Sequence, residues 1–146
     1  MKKVLLLTCV LAMAATTVSA ADIGLRGGLT SGPDQFHIGA HTDLGTVLPP
    51  MRLVPNVEIG FGDDFTLISL NGDLIYDFAG SPFGVGGELA LQFWDHDVAG
   101  SDTELGLSAL ADYRLGMSNG KTLLLEVKLG LMDAPDFKFT VGYSFF

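Results

Sequence analysis

The sequence is poor in cysteine, in basic residues and in long apolar runs, and each shortage excludes a class of protein. Its one cysteine, Cys9, lies in an amino-terminal segment that is predicted to be removed. The mature chain can therefore form neither a disulfide framework nor a thiolate metal site. Beyond that segment, no stretch approaches the roughly 20 apolar residues of a membrane-spanning helix. If the chain crosses a membrane, it must cross as strands.

The amino terminus has the pattern of an export signal. Lys2 and Lys3 precede an apolar run from Val4 to about Ala15, and Val18-Ser19-Ala20 offers small residues for cleavage. The chain is therefore divided into a cleaved signal peptide, residues 1–20, and one domain, an outer-membrane β-barrel predicted over residues 21–146. Removing Lys2 and Lys3 leaves six basic residues against 17 acidic ones, a net charge of −11. This charge argues against nucleic acid and against an anionic inner leaflet as partners.

Apolar and polar residues alternate through most of the mature chain, as they do in strands with two different faces. In the last eleven residues, Phe137, Phe139, Val141, Tyr143 and Phe145 share one parity. The same pattern predicts eight strands, at residues 22–29, 35–44, 52–61, 65–78, 83–94, 103–115, 121–131 and 136–146. Turn-forming residues separate them, as in antiparallel hairpins. The predicted fold is all-β: an eight-stranded antiparallel up-and-down transmembrane β-barrel, the smallest kind of membrane barrel.

Three local features of these strands carry their own predictions. Pro55 cannot donate a ladder hydrogen bond, so the third strand should be irregular there. Phe65 and Leu67 have the opposite parity to the apolar residues that follow, which predicts a bulge or register change between Leu67 and Ser69. The polar residues 95–102 predict a loop between the fifth and sixth strands.

The polar face is predicted to line the inside of the barrel. It is sparse, rich in small residues and mixed in the sign of its charges, which suits a crowded, ion-paired interior better than a solvated surface. Isolated charges in so narrow a space would be costly, so pairing is expected. The predicted lumen charge network consists of Arg26, Glu58, Asp73, Glu88, Asp112, Arg114, Glu126, Lys128 and Lys138.

The aromatic residues give a second indication, because membrane barrels carry aromatic girdles at both interfaces. With both termini on one side, one band of aromatics lies at the far rim: Phe36, Phe61, Phe65, Phe93 and Phe137. The other band lies at the near rim: Tyr76, Phe78, Phe83, Tyr113, Tyr143 and Phe145. Two bands favour a membrane barrel over the apolar core of a soluble sandwich.

The export signal, the eight two-faced strands and two stretches, residues 101–107 and 135–146, resemble the small outer-membrane β-barrel family, often labelled porin family or OmpA/OmpX-like. The resemblance implies a bacterial outer membrane, both termini in the periplasm, and contact with outer-membrane lipids. It also implies that the barrel-assembly machinery reads a terminal aromatic signal, here Tyr143, Phe145 and Phe146. By parity, Phe145 rather than Phe146 is the outward residue.

The sequence contains few candidates for metal-binding or catalytic residues. His37 and His41 share a strand face about 13 Å apart, too far for one metal ion, so they are expected to fill the lumen. A hydrolase would need a serine and a histidine together near the outer rim; His96 has only Ser101 as a nearby hydroxyl. We therefore expect no catalytic residues, no cofactor and no enzyme activity.

The far rim gathers eight aspartates without a lysine or arginine among them: Asp34, Asp63, Asp64, Asp95, Asp97, Asp102, Asp133 and Asp136. Oxygen-rich loops suit hard divalent cations. Asp95, Asp97 and Asp102 are the candidates for weak Ca²⁺ or Mg²⁺ binding, against the simpler interpretation that aspartates keep the loops solvated.

The function expected from the sequence is that of a small integral outer-membrane protein with a structural or surface role. Because side chains can fill an eight-stranded barrel, little or no open pore is expected. The alternative is a secreted or periplasmic lipocalin-like barrel that carries a small apolar ligand.

Overall fold

The computed structural model describes residues 22–96 and 100–145, which form nine antiparallel strands. Their bounds are β1 Asp22–Ser31, β2 Gln35–Asp43, β3 Thr46–Leu48, β4 Met51–Phe61, β5 Phe65–Asp77, β6 Phe83–His96, β7 Gly100–Gly116, β8 Thr122–Met132 and β9 Phe137–Ser144. Among these residues, no helix is long and apolar enough to cross a membrane. The predicted signal peptide, Asp97 and Phe146 lie outside the described residues.

Eight of the strands close into a barrel. Neighbouring strands in the sheet run in the order β2-β1-β9-β8-β7-β6-β5-β4, and β2 also pairs with β4, which completes the ring. The three-residue β3 pairs only with β4 and lies outside the ring. The predicted eight-stranded antiparallel fold is therefore confirmed, with β3 as an addition within the connection after β2.

The two ends of the barrel are distinct. Asp22 of β1 and Ser144 of β9 lie at one end, which we call the terminal end. The connections at residues 32–34, 62–64 and 133–136 lie at the other end, which we call the distal end, as do the paired residues His96 of β6 and Gly100 of β7. Antiparallel hairpins alternate between the ends, so an even number of ring strands returns the chain to the side on which it began.

The pairing of β6 with β7 shortens the predicted loop at residues 95–102, because residues 95, 96 and 100–102 belong to strands; residues 97–99 lie outside the described part of the chain. Trp94 pairs with Asp102, Asp95 with Ser101, and His96 with Gly100. β6 and β7 therefore extend toward the distal end past the part of the barrel whose outward side chains are apolar. Polar residues occupy both faces of this extension, and the period-two signal that defines a strand is lost there.

The expected bulge at Leu67 was also wrong. The register of β5 is continuous with both β4 and β6, and Leu67 points into the barrel with 5% of its surface exposed. Within the ring, a register shift lies instead between Leu107 and Ser108, on the pairing of β7 with β8. Pro55 stays in register with Gly72 of β5.

The expected irregularity at Pro55 takes the form of an interrupted ladder. The continuous pairing of β2 with β4 ends at His41 and Asn56, and Asn56 is the residue that follows Pro55 in the chain. A backbone hydrogen bond resumes in the same register at Leu44 and Leu53, with 3.0 Å between nitrogen and oxygen. This is the interruption that a strand residue without an N–H causes.

The barrel is apolar outside and polar inside. Large apolar side chains stand exposed around its outer face, including Leu29 at 65% and Leu131 at 64% exposure. Charged side chains are buried within it, including Glu126 and Lys128, each 1% exposed. A water-soluble barrel has the reverse distribution.

Aromatic pairs occur near both ends of the outer face. Phe36 and Phe61 stack toward the distal end with ring centroids 5.1 Å apart, and Phe83 meets Tyr113 at 4.6 Å toward the terminal end. Phe65 differs from the predicted band. It shares the inward parity of Leu67 and contacts side chains at the distal mouth, because β5 keeps its register to its first residue.

Candidate functional site: the filled lumen

The centre of the lumen holds a cluster of seven charged side chains that we call the central network. Its members are Arg26, Glu58, Asp73, Glu88, Glu126, Lys128 and Lys138. They come from β1, β4, β5, β6, β8 and β9, and all share the inward parity of their strands. Four carboxylates face three cations, so the network carries one excess negative charge.

Arg26 crosses the lumen from β1 to three carboxylates. Its Nε lies 2.9 Å from Glu58 Oε1, its Nη1 lies 3.6 Å from Asp73 Oδ2, and its Nη2 donates to Glu126 Oε1. The guanidinium is planar and has five donors, so one arginine can contact acids on several strands. Arg26 thereby links β1 to β4, β5 and β8.

Lys128 is the second centre of the network. Its Nζ lies 2.9 Å from each carboxylate oxygen of Asp73, 2.5 Å from Glu88 Oε2 and 3.1 Å from Glu126 Oε1. Lys138 donates to Glu58 and lies 3.9 Å from Glu88 Oε2. Because these groups are almost fully buried, their mutual pairing replaces the solvation that they lose.

A second cluster lies at the terminal end and centres on Arg52. This side chain pairs with Asp43 at 2.9 Å, Asp77 at 3.1 Å and Asp112 at 2.5 Å. Arg114 joins it through Asp77 at 2.9 Å and through Asp112 at 4.0 Å. The predicted residues Asp112 and Arg114 thus belong to this terminal cluster, apart from the seven of the central network.

The predicted lumen charge network did not include Arg52, Asp43 and Asp77, which form the terminal cluster with Asp112 and Arg114. The signal was present, because Arg52 shares its parity with Asn56 and Glu58 on β4. The same parity rule assigns Asp77 to the inner face of β5, beyond Asp73.

An apolar layer lies between the two charged clusters. Val54, Ile75 and Leu110 are at most 5% exposed and form one contact cluster inside the lumen. On β4, Val54 stands between Arg52 and the central network. The interior is therefore stratified into charged, apolar and charged layers along the barrel axis.

The two lumen histidines are held by hydroxyl groups. His37 Nδ1 lies 3.1 Å from Thr30 Oγ1, and its Nε2 lies 3.0 Å from Thr140 Oγ1. His41 Nε2 lies 3.0 Å from Ser144 Oγ. Within residues 22–96 and 100–145, no group of three or more histidine, cysteine, aspartate or glutamate side chains could hold a metal ion. The structure thus places both histidines as lumen filling.

Little free space remains inside. A cavity of about 20 Å³ lies on the distal side of the central network, and one of about 30 Å³ lies beside the terminal cluster. Each is about the size of a single water molecule. At Gly28 a side chain would overlap the carbonyl oxygen of Phe139, so the neighbouring strand occupies even that position.

The β8–β9 connection, residues 133–136, folds into the distal mouth. Gln92, which is 1% exposed, donates from Nε2 to the carbonyl oxygen of Asp133 at 2.9 Å. Pro135 lines the cavity of about 20 Å³ on the distal side of the central network. A side chain at Gly130 would overlap the carbonyl oxygens of Ala134 and Pro135. The connection and the central network together fill the described lumen at two levels.

The distal carboxylates proposed as cation ligands do not all share a face. Trp94 pairs with Asp102, whereas Asp95 pairs with Ser101. Successive residues on a strand point to opposite faces, so Asp95 and Asp102 point away from each other. Asp102 Oδ1 also accepts a hydrogen bond from the backbone N–H of Thr103 at 2.7 Å. This geometry does not favour one ion bound by both side chains.

Comparisons by sequence and by structure differ in what they find. No protein-family model and no curated protein matches the sequence. The structure is similar to the crystal structure of Neisserial surface protein A (NspA), with a TM-score of 0.63, 17% identity and coverage of 85% of this chain and 94% of that chain. The solution structure of a de novo designed protein, TMB2.3, matches with a TM-score of 0.45 and 15% identity, covering 86% of this chain and 91% of that chain. The likeness to NspA supports the barrel fold.

Proposed function

We propose that this chain is a small integral protein of the bacterial outer membrane, with a structural or surface role and a closed lumen. The observation that carries the proposal is the exposed apolar outer face around a buried charged interior. Apolar exposure on this scale is unfavourable in water and favourable against lipid. The similarity to NspA, a surface protein by name, agrees with this location.

The partners in this proposal are the lipids around the barrel and, during biogenesis, the barrel-assembly machinery. Phe145 is 39% exposed and contacts Tyr143, with ring centroids 5.4 Å apart. An outward aromatic near the chain end supports its proposed role in assembly. Residues 1–20 would direct export and then be removed.

A lipocalin-like carrier is the weaker alternative. Such a protein needs an apolar cavity for its ligand, whereas the described lumen is filled by ion pairs and holds cavities of about 20 and 30 Å³. No enzyme activity is proposed, since the hydroxyl partners of His37 and His41 are buried in the lumen.

Two measurements test the proposal. Expressed with its leader, the protein should sediment with outer membranes, resist alkaline extraction and migrate faster on gels before heating than after it. Recovery in the soluble periplasmic fraction would contradict the membrane assignment. Refolded protein in planar bilayers should show no regular conductance steps, with a wide-pored porin as the positive control. Reproducible ohmic steps would instead contradict the closed lumen while leaving the membrane assignment intact.

A further inference from the structure

At the distal end, the β6–β7 pair extends beyond the closed ring. There β7 pairs with β6 as far as His96 and Gly100, whereas its pairing with β8 begins only at Leu107 and Met132. Residues 100–106 therefore stand beside a single neighbouring strand. We call the inward-parity residues of this extension the distal platform: Phe65, Trp94, His96, Asp102 and Glu104.

The aromatic part of the platform is a compact stack. Trp94 and His96 lie parallel within 2°, with ring centroids 5.9 Å apart. Phe65 leans against both, at 5.3 Å from Trp94 and 6.0 Å from His96. All three are partly exposed, and the indole Nε1 has no hydrogen-bond partner among the described residues. Aromatic faces of this kind attract cations through their negative quadrupole.

The acidic part lies directly beside the stack. Asp102 is the cross-strand partner of Trp94, and Glu104 is the partner of Gln92, one pair further toward the barrel. Directly paired residues share one face of a sheet, with Cβ atoms about 5 Å apart. Both carboxylates are exposed. The platform thus places a partly exposed indole ring on the same sheet face as two exposed carboxylates, and these are the groups that bind a guanidinium or ammonium group.

The charges of the whole barrel are complementary to the same kind of ligand. The described lysines and arginines divide between the central network (Arg26, Lys128 and Lys138) and the terminal end (Arg52, Arg114 and Lys121). The described rim at the distal end carries carboxylates and no cation of its own. A phosphate would be repelled there, whereas a chain with several positive charges would meet an acid at successive positions.

We propose that the distal platform binds an arginine side chain of a basic peptide segment, with the guanidinium against the Trp94 ring and between the Asp102 and Glu104 carboxylates. Neighbouring basic residues of the segment then lie over the other rim aspartates. The proposal goes beyond the membrane role above, and it can be tested in detergent, where the orientation of the barrel in a membrane has no influence.

Trp94 is the only tryptophan of the chain, so its fluorescence reports on the platform alone. The probe is a short peptide of alternating arginine and serine, and the matched control is the same peptide with neutral citrulline in place of arginine. Refolded protein in an uncharged detergent should show a saturable change of fluorescence with the arginine peptide and none with the citrulline peptide. Absence of a saturable change would overturn the proposal.

Variants separate a site from general attraction. D102N combined with E104Q should weaken binding about fivefold or more, as expected for the loss of a cation site at the surface. D34N combined with D63N removes the same charge elsewhere on the rim and should weaken binding less. Equal losses in the two double variants would overturn the platform as the site. Each variant must keep its heat-modifiable mobility, which shows that the barrel has folded.

Two further measurements address the ring and the ligand class. Calorimetry with W94A should show weaker binding of the arginine peptide than with W94F, since phenylalanine keeps an aromatic face; equal affinities would contradict the cation–π contact. Phosphocholine serves as the competing probe. Binding of phosphocholine as tightly as the arginine peptide would assign the platform to a lipid headgroup and overturn the peptide proposal.

Discussion

Lys128→Met is the most informative perturbation of the lumen, because it removes one of the three cations of the central network and nearly preserves side-chain length. Asp73, Glu88 and Glu126 each lose a partner within 3.1 Å. Asp73 then retains Arg26, at 3.6 Å, as its cationic partner among the described residues, together with a hydrogen bond from Asn56 Nδ2 at 3.0 Å. The network changes from four acids and three bases to four acids and two. Breaking a buried ion pair in this way costs about 3–5 kcal/mol, and we expect a loss of unfolding free energy of that size.

The assay is equilibrium unfolding in urea, with the protein refolded into lipid vesicles and followed by Trp94 fluorescence. The control is Lys121→Met at the terminal end, where the Nζ lies 5.5 Å from the ring centroid of Tyr143. A cation–π contact at such a partly exposed site contributes about 1 kcal/mol or less. The two substitutions are chemically identical, so their difference isolates the effect of burial and pairing.

The double variant Lys128→Met with Asp73→Asn tests the reason for the loss. It restores the original excess of one negative charge, with three acids against two bases. We expect it to regain at least half of the stability that Lys128→Met loses, because the charge left without a partner causes the cost. A loss below about 1 kcal/mol in the single variant, or a double variant no more stable than the single one, would refute the reasoning.

Three other predictions concern the network, the packing and the lipid-facing surface. Glu126→Gln keeps the shape of the side chain but should destabilise the barrel by about 1–3 kcal/mol in the same urea assay, because charge-assisted hydrogen bonds become neutral ones; no change would contradict the network. Gly28→Ala should lower the yield of folded barrel on gels, since its Cβ overlaps a neighbouring strand, whereas Gly72→Ala has open space and should fold normally; equal yields would contradict this packing. Leu89→Arg, at the middle of β6, should cost about 2–4 kcal/mol in lipid and less in detergent, while Leu131→Arg near the distal rim should cost about 0–1 kcal/mol; equal costs in lipid would contradict the proposed membrane position.

The agreement between sequence and structure is best where the signal is local. A strand reveals its two faces through a period of two residues, so parity alone assigned Arg26, Glu126 and Lys128 to one face before any pairing was known. The same rule predicted the eight ring strands and most of their ends. It failed where both faces are polar, at residues 95–102, and where one apolar residue, Leu67, points inward near the distal mouth.

Pairing inside the lumen depends on information that no local pattern contains. Glu126 lies 100 residues from Arg26 in the chain, and the two meet because closure of the ring and the stagger of its strands bring them to one level. A shift of one strand by two residues would keep every side chain on its face and change every partner. The division into a central network and a terminal cluster, and the fold of residues 133–136 into the mouth, were likewise settled by the closed barrel. Alternation therefore determined which residues face inward, and tertiary structure alone decided which of them meet, because facing is a property of one strand and contact is a property of the whole ring.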